Sequence, residues 1–197
     1  ADAFIDTGIH QEVQADNGNS SANLTNDGSL VITAQAAPSG LDGVEATAAV
    51  GEGPPHTTDW GIYQFANALD GDAAASIVNN DQLLVSAVAA ATANEGSAAA
   101  DASIYVGIGQ QALAHGTDNT ANVSLTNTAD LGVKASAVAN ATTEASATAL
   151  VHQGIFQSAI SYEGTATVSL DNQVNGSINI SATAKVPDTV SLATDAN

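Results

Sequence analysis

Apolar and polar residues alternate along most of this chain, and a period of two predicts strands with one buried face. The clearest run, Ile62, Gln64, Ala66, Ala68, has three counterparts: Ile9, Gln11, Val13, Ala15; Ile108, Gln110, Ala112, Ala114; and Ile155, Gln157, Ala159, Ser161. Each begins on the motif Gly-Ile-x-Gln, at Gly8, Gly61, Gly107 and Gly154. Call this segment a. A turn follows each copy at Gly18, Gly71, Gly116 and Gly164, where positive φ is cheap for glycine.

Segment b then runs Ala22, Leu24, Asn26; Ala75, Ile77, Asn79; Val123, Leu125, Asn127; Val168, Leu170, Asn172. Segment c begins at Leu30, Leu83, Leu131 and Ile178 and continues in alternating Ile, Val and Ala. Segment d, at Ala46–Val50, Ala98–Val106 and Ala145–Val151, leads into the next Gly-Ile-x-Gln, and residues 1–5 match its end. The order d, a, b, c four times over predicts an all-β fold, a β-solenoid of four tandem repeats of about 45–53 residues with four short strands each. The repeats fall near 1–44, 45–97, 98–144 and 145–197 of a single domain, with an insertion at 51–60 carrying Pro54 and Pro55. Pro187 ends the pattern, and 189–193 suits one further strand. A repeat could be one four-sided rung or two smaller ones. A small propeller also has four strands per blade, but its blades pack both faces with bulkier residues. The Ala-rich stretch 87–102 has helix propensity, opposed by Gly96 and by the same alternation in copies without long Ala runs.

Parity gives the polar motifs a role. The Gln of Gly-Ile-x-Gln shares a face with Ile, so Gln11, Gln64, Gln110 and Gln157 are expected inside, their amides bonded in a ladder that satisfies otherwise costly buried groups. Asn26, Asn79, Asn127 and Asn172 are expected to form a second ladder at the corners. The opposite face of segment a gathers most of the aromatics: Tyr63, Phe65, Leu113, Phe156, Ile160 and Tyr162 form either a partner surface or the floor beneath the 51–60 insertion.

Charge narrows the partners. With 21 acidic residues against two lysines, Lys134 and Lys185, the formal charge is -19, which repels nucleic acid and anionic membrane surfaces. No apolar run reaches the roughly 20 residues of a membrane helix. The hydrophobic content of 44% and its alternation set the chain apart from a disordered acidic one. Cysteine is absent, and the lack of methionine even at position 1 suggests a processed product or an excerpt of a longer chain. Asp16, Asp70, Asp72, Asp118 and Glu163 lie near the turn glycines; stacked, they would repel one another and attract a hard cation, so the expected cofactor content is none, or Ca²⁺. Solvated surface charge is the simpler account. The four histidines lack metal-ligand spacing and no catalytic motif is present. Six Asn-x-Ser/Thr sequons are within chance for this composition.

Gly-Ile-x-Gln, then Val-Ser-Leu-x-Asn at Val123–Asn127 and Val168–Asn172, then alternating Ala, resembles the repeat regions of large secreted bacterial surface proteins, the adhesin and autotransporter passengers of filamentous-haemagglutinin style. The resemblance covers residues 1–185, although the Asn-x-Gly turn of such repeats is intact at Asn26-Asp27-Gly28 and absent at Asn127-Thr128-Ala129. It implies an extracellular, non-enzymatic rod or fibre whose partners are copies of itself or neighbouring repeats. The alternatives are a glycan- or ice-binding solenoid, or a carbohydrate-active enzyme on a β-helix.

Overall fold

The computed structural model describes residues 1–51, 60–186 and 191–196, the last stretch by its backbone. The fold is all-β, and the described residues contain no helix. The alternating segments become β1 (Asp2–Ile5), β2 (Ile9–Ala15), β3 (Ser20–Asn26), β4 (Leu30–Ala36), β5 (Ser39–Gly40), β6 (Val44–Val50), β7 (Ile62–Ala68), β8 (Ala73–Asn79), β9 (Leu83–Ala93), β10 (Ser97–Asn127), β11 (Asp130–Asn140), β12 (Glu144–Asn172), β13 (Ser177–Lys185) and β14 (Ser191–Ala196). The helix-prone stretch 87–102 lies in β9 and β10: burying Ala on alternate positions outweighs its helical propensity. Most of the 51–60 insertion lies outside the described residues. The further strand expected near 189–193 is present as β14, which pairs with Glu144–Ala149.

Every strand pair is parallel. That excludes a propeller, whose blades are antiparallel. Segments d, a and b of all copies form a nine-strand sheet, and segments c, with β5, form a five-strand sheet. Pairing joins equivalent positions: Ile9 to Ile62, Ile62 to Ile108, and Ile108 to Ile155, with Leu24, Ile77, Leu125 and Leu170 aligned likewise. Each copy thus adds one strand to each column, an advance of about 4.8 Å.

The expectation of separate short strands holds in the first two copies only. In the third, d, a and b run on as the single strand β10, and in the fourth as β12. Straight, the 31 residues of β10 would span roughly 100 Å at 3.3 Å per residue. Instead it pairs in succession with β6, β7 and β8 and turns at Gly116, with φ of 90°, and Asp118, with φ of 61°. Gly18 and Gly71 also take positive φ as expected. Gly164 does not; there a Cβ would strike the Asn119 carbonyl, so close approach is what requires glycine.

The two sheets share one core. Ala34, Ala87, Ala89, Ala135 and Ala137 of segment c cluster with Ala46, Ala48, Ala100, Ala102 and Ala147 of segment d, and Ile62, Ile108, Ile77 and Leu125 close the sides. Burial is deepest in the middle copies and falls at both ends of the stack. Ile77 and Leu125 are fully buried, whereas Leu24 is half-buried and Leu170 is 47% exposed.

Strand register also answers how so acidic a chain stacks. Asp2 pairs with Thr47, Thr47 with Asp101, Asp101 with Thr148, and Thr148 with Asp195, so the acids in this column sit on alternate strands. Elsewhere Glu12 faces Phe65, Glu163 faces Thr117, Asp171 faces Thr126 and Asp130 faces Ser177. No acid opposes an acid in the strand register of the described residues, which avoids the like-charge penalty of cross-strand pairs.

Candidate functional site

Two amide columns run through the molecule. In the first, Gln64 Nε2 donates to Gln11 Oε1 (2.7 Å), Gln110 Nε2 to Gln64 Oε1 (2.9 Å) and Gln157 Nε2 to Gln110 Oε1 (2.9 Å). Gln64 and Gln110 are fully buried. The same Nε2 atoms also donate to backbone carbonyls of segment b: Gln64 to Ala22 and Ser76, Gln110 to Ala75 and Ser124. Carbonyls only accept, so these contacts fix which end of each amide is nitrogen. The column therefore has a direction: Gln64, Gln110 and Gln157 each donate toward the preceding copy.

The second column runs the other way. Asn26 Nδ2 donates to Asn79 Oδ1, Asn79 to Asn127 and Asn127 to Asn172, each at 2.7 Å. Here the orienting carbonyls lie where segment c begins, at Gln82, Asp130 and Ser177. Asn26, Asn79 and Asn127 each donate toward the following copy. Parity predicts both columns but not their opposed directions.

The motif glycine has a steric reason. A Cβ on Gly61 would lie 2.5 Å from Gly107 O and 2.6 Å from Val85 Cγ1, and one on Gly8 would lie 2.6 Å from Gly61 O. Where segment d passes into a, backbone of successive copies and the branched residue of segment c converge, and no side chain fits.

The aromatic face is partly closed by Trp60, the last residue of the insertion. Outward positions pair as His10, Tyr63, Gly109 and Phe156, so Gly109 leaves a notch in that row. Trp60 lies in the notch against the Gly109 backbone, its ring 4.7 Å from Tyr63 and 5.6 Å from Phe156. Tyr63 is buried, Phe65, Leu113 and Phe156 are half-buried, and Ile160 and Tyr162 remain 49% and 64% exposed. Tyr63 thus belongs to the covered part of the face, and Ile160 and Tyr162 to the open part. Because Trp60 is the chain's single tryptophan, its fluorescence reports the notch. Gly109→Ala is expected to eject the indole and shift its emission to longer wavelength; an unchanged spectrum would refute this packing.

The acidic turn residues do not converge. Asp16, Asp70, Asp118 and Glu163 are exposed, and among the described residues no three His, Asp or Glu side chains form a group that could hold a metal ion. Asp72 ties two copies together: its Oδ1 accepts from Thr120 N (2.7 Å) and Thr120 Oγ1 (2.9 Å). These bonds hold its carboxyl below the ordinary carboxylate range. Asp42, which the sequence did not single out, accepts from Ser97 N (2.8 Å) and Gly43 N (2.7 Å) with the same result. A depressed folded-state pKa contributes stability above the unfolded value, near 3.9, that is lost as pH falls through the folded one. Thr120→Val should raise the Asp72 pKa toward the ordinary value, read by carboxyl NMR titration; no change would show the hydroxyl bond to be ineffective.

The ends of the stack complete the site. At the last copy Val168, Leu170 and Ile180 are 49%, 47% and 47% exposed, although their column neighbours Val123, Leu125 and Val133 are buried. At the first copy Ile9, Leu24 and Leu30 are half-buried on Ile62, Ile77 and Leu83. Sequence alternation placed all of these inside and carried no signal of which copies stand at an edge. No protein-family model, no curated protein and no solved structure matches this chain.

Proposed function

We propose that this chain is a structural, non-enzymatic module of an extracellular bacterial filament or adhesin, a β-solenoid in which each sequence copy is one rung. The observation that carries this reading is the pair of end rungs, where core positions buried in the middle are left exposed on strand segments that pair with no further described strand. A strand edge backed by apolar side chains is a template for a further strand. The occupant is another rung, from a neighbouring repeat or another subunit. Lateral contacts would use the open part of the aromatic face at Ile160 and Tyr162.

Net charge gives this function a dependence on salt. Subunits carrying -19 repel one another, and raising ionic strength shortens the Debye length from about 30 Å at 0.01 M to about 8 Å at 0.15 M. Sedimentation velocity of the 197-residue chain should show assemblies growing with NaCl concentration. A monomer at every ionic strength and protein concentration would end the filament reading. Ca²⁺ acting only by screening would be matched by NaCl of equal ionic strength; a chelator-reversible excess would mark bound calcium at the acidic turns.

A further inference from the structure

The two amide columns end differently at the two faces of the stack. At the first-copy face, Gln11 Nε2 donates to Asn23 O (3.0 Å) and to no other described residue, so one N–H is left over, and Asn26 Oδ1 accepts from none. At the last-copy face the situation is reversed. Gln157 Oε1 accepts from no described residue, and Asn172 Nδ2 donates to Gly176 O (3.0 Å) alone. One face offers a Gln donor and an Asn acceptor; the other offers a Gln acceptor and an Asn donor.

We infer that the partner of each face is the opposite face of a second copy of this chain, stacked head to tail and in register. This rests on the stacking function proposed above and adds its polarity and its contacts. Extending the interior register by one step sets Ile9 on Ile155, Gln11 on Gln157, Leu24 on Leu170, Asn26 on Asn172, Leu30 on Ile178 and Ile32 on Ile180. Gln11 of the incoming copy then donates to Gln157 Oε1, and Asn172 donates to its Asn26 Oδ1. Both columns cross the junction with the bonds they make inside.

Three further features favour this polarity over two like faces meeting. Every strand pair among the described residues is parallel, and only head-to-tail stacking keeps the junction parallel; a two-fold axis would make it antiparallel. Like faces meeting with each column on itself would also oppose donor to donor and acceptor to acceptor. Finally, the head-to-tail register brings no acid onto an acid: Glu12 lands on Ser158 and Thr25 on Asp171.

The segment d column fits with one adjustment. There β14 covers Glu144–Ala149, while β1 of an incoming copy maps onto Thr148–Val151. The two compete for Thr148 and Ala149, so the last two residues of β14 give way to Asp2 and Ala3 of the neighbour.

Two variants test this by sedimentation velocity under conditions where the parent chain assembles. Leu24→Asp spoils the first-copy face and Leu170→Asp the last-copy face, each burying a charge at a junction. Head-to-tail stacking predicts loss of all species above monomer for each variant alone, and an equimolar mixture that forms dimers and stops there. The mixed dimer also shows that both variants fold. If either variant alone dimerises, like faces are meeting, and the polarity is wrong while stacking survives. If either assembles as the parent does, the end faces are not the contacts. A parent chain that never assembles removes the filament reading and this inference together.

Discussion

Gln110→Leu is expected to lower unfolding free energy by about 3–5 kcal/mol. Gln110 donates to Gln64 Oε1, Ala75 O and Ser124 O and accepts from Gln157 Nε2. Leucine fills a similar volume and answers none of these, which leaves the buried Gln64 oxygen without its donor and takes a donor from the Ala75 and Ser124 carbonyls. Each abandoned buried group costs roughly 1–3 kcal/mol, discounted here because some relaxation occurs. The same change at Gln157, half-buried at the end of the column, removes a donor from Gln110 Oε1 and Ser169 O beside solvent, and about 1 kcal/mol is expected. Urea titration of both variants checks the contrast. Equal losses at the two positions would mean that the amide column contributes nothing beyond local packing.

Gly107→Ala is the second large effect, about 2–3 kcal/mol, from overpacking. The added Cβ would sit 2.7 Å from Gly154 O and 2.6 Å from Val133 Cγ1. One neighbour is backbone held by strand pairing and the other a buried side chain, so neither gives way without disturbing a second column. Gly28 is the control: nothing lies within 4 Å of its Cβ position, and Gly28→Ala should change stability by less than about 0.5 kcal/mol. A Gly107→Ala variant as stable as Gly28→Ala would refute the close approach that explains the motif glycine.

What sequence made legible was the content of each column, because side-chain parity in a strand is fixed by geometry. Gln64 with Ile62, and Asn79 with Ile77, could be placed inside from their spacing alone. Column direction was not legible, since it depends on which carbonyls lie beside each amide: those of segment b for Gln110, those opening segment c for Asn127. The joining of d, a and b into β10 was hidden for a similar reason, because Gly107 and Gly116 read as breaks until strands on either side hold the chain through them. The notch at Gly109 could have been found by comparing copies, for it alone puts glycine at the x of Gly-Ile-x-Gln, where the others carry His10, Tyr63 and Phe156. The acidic turns were legible only as a group. Proximity in sequence suggests a shared cation but does not reveal that Asp72 turns to Thr120 of the next copy, a bond between layers.

In the proposed assembly each copy is one layer of a stack that continues past both ends in register. Electron cryomicroscopy of assembled material should then show fibres with strands perpendicular to the axis, a layer spacing of about 4.8 Å and a subunit repeat of about 19 Å, four layers per chain. Discrete particles under every assembly condition, or fibres without that axial repeat, would contradict it.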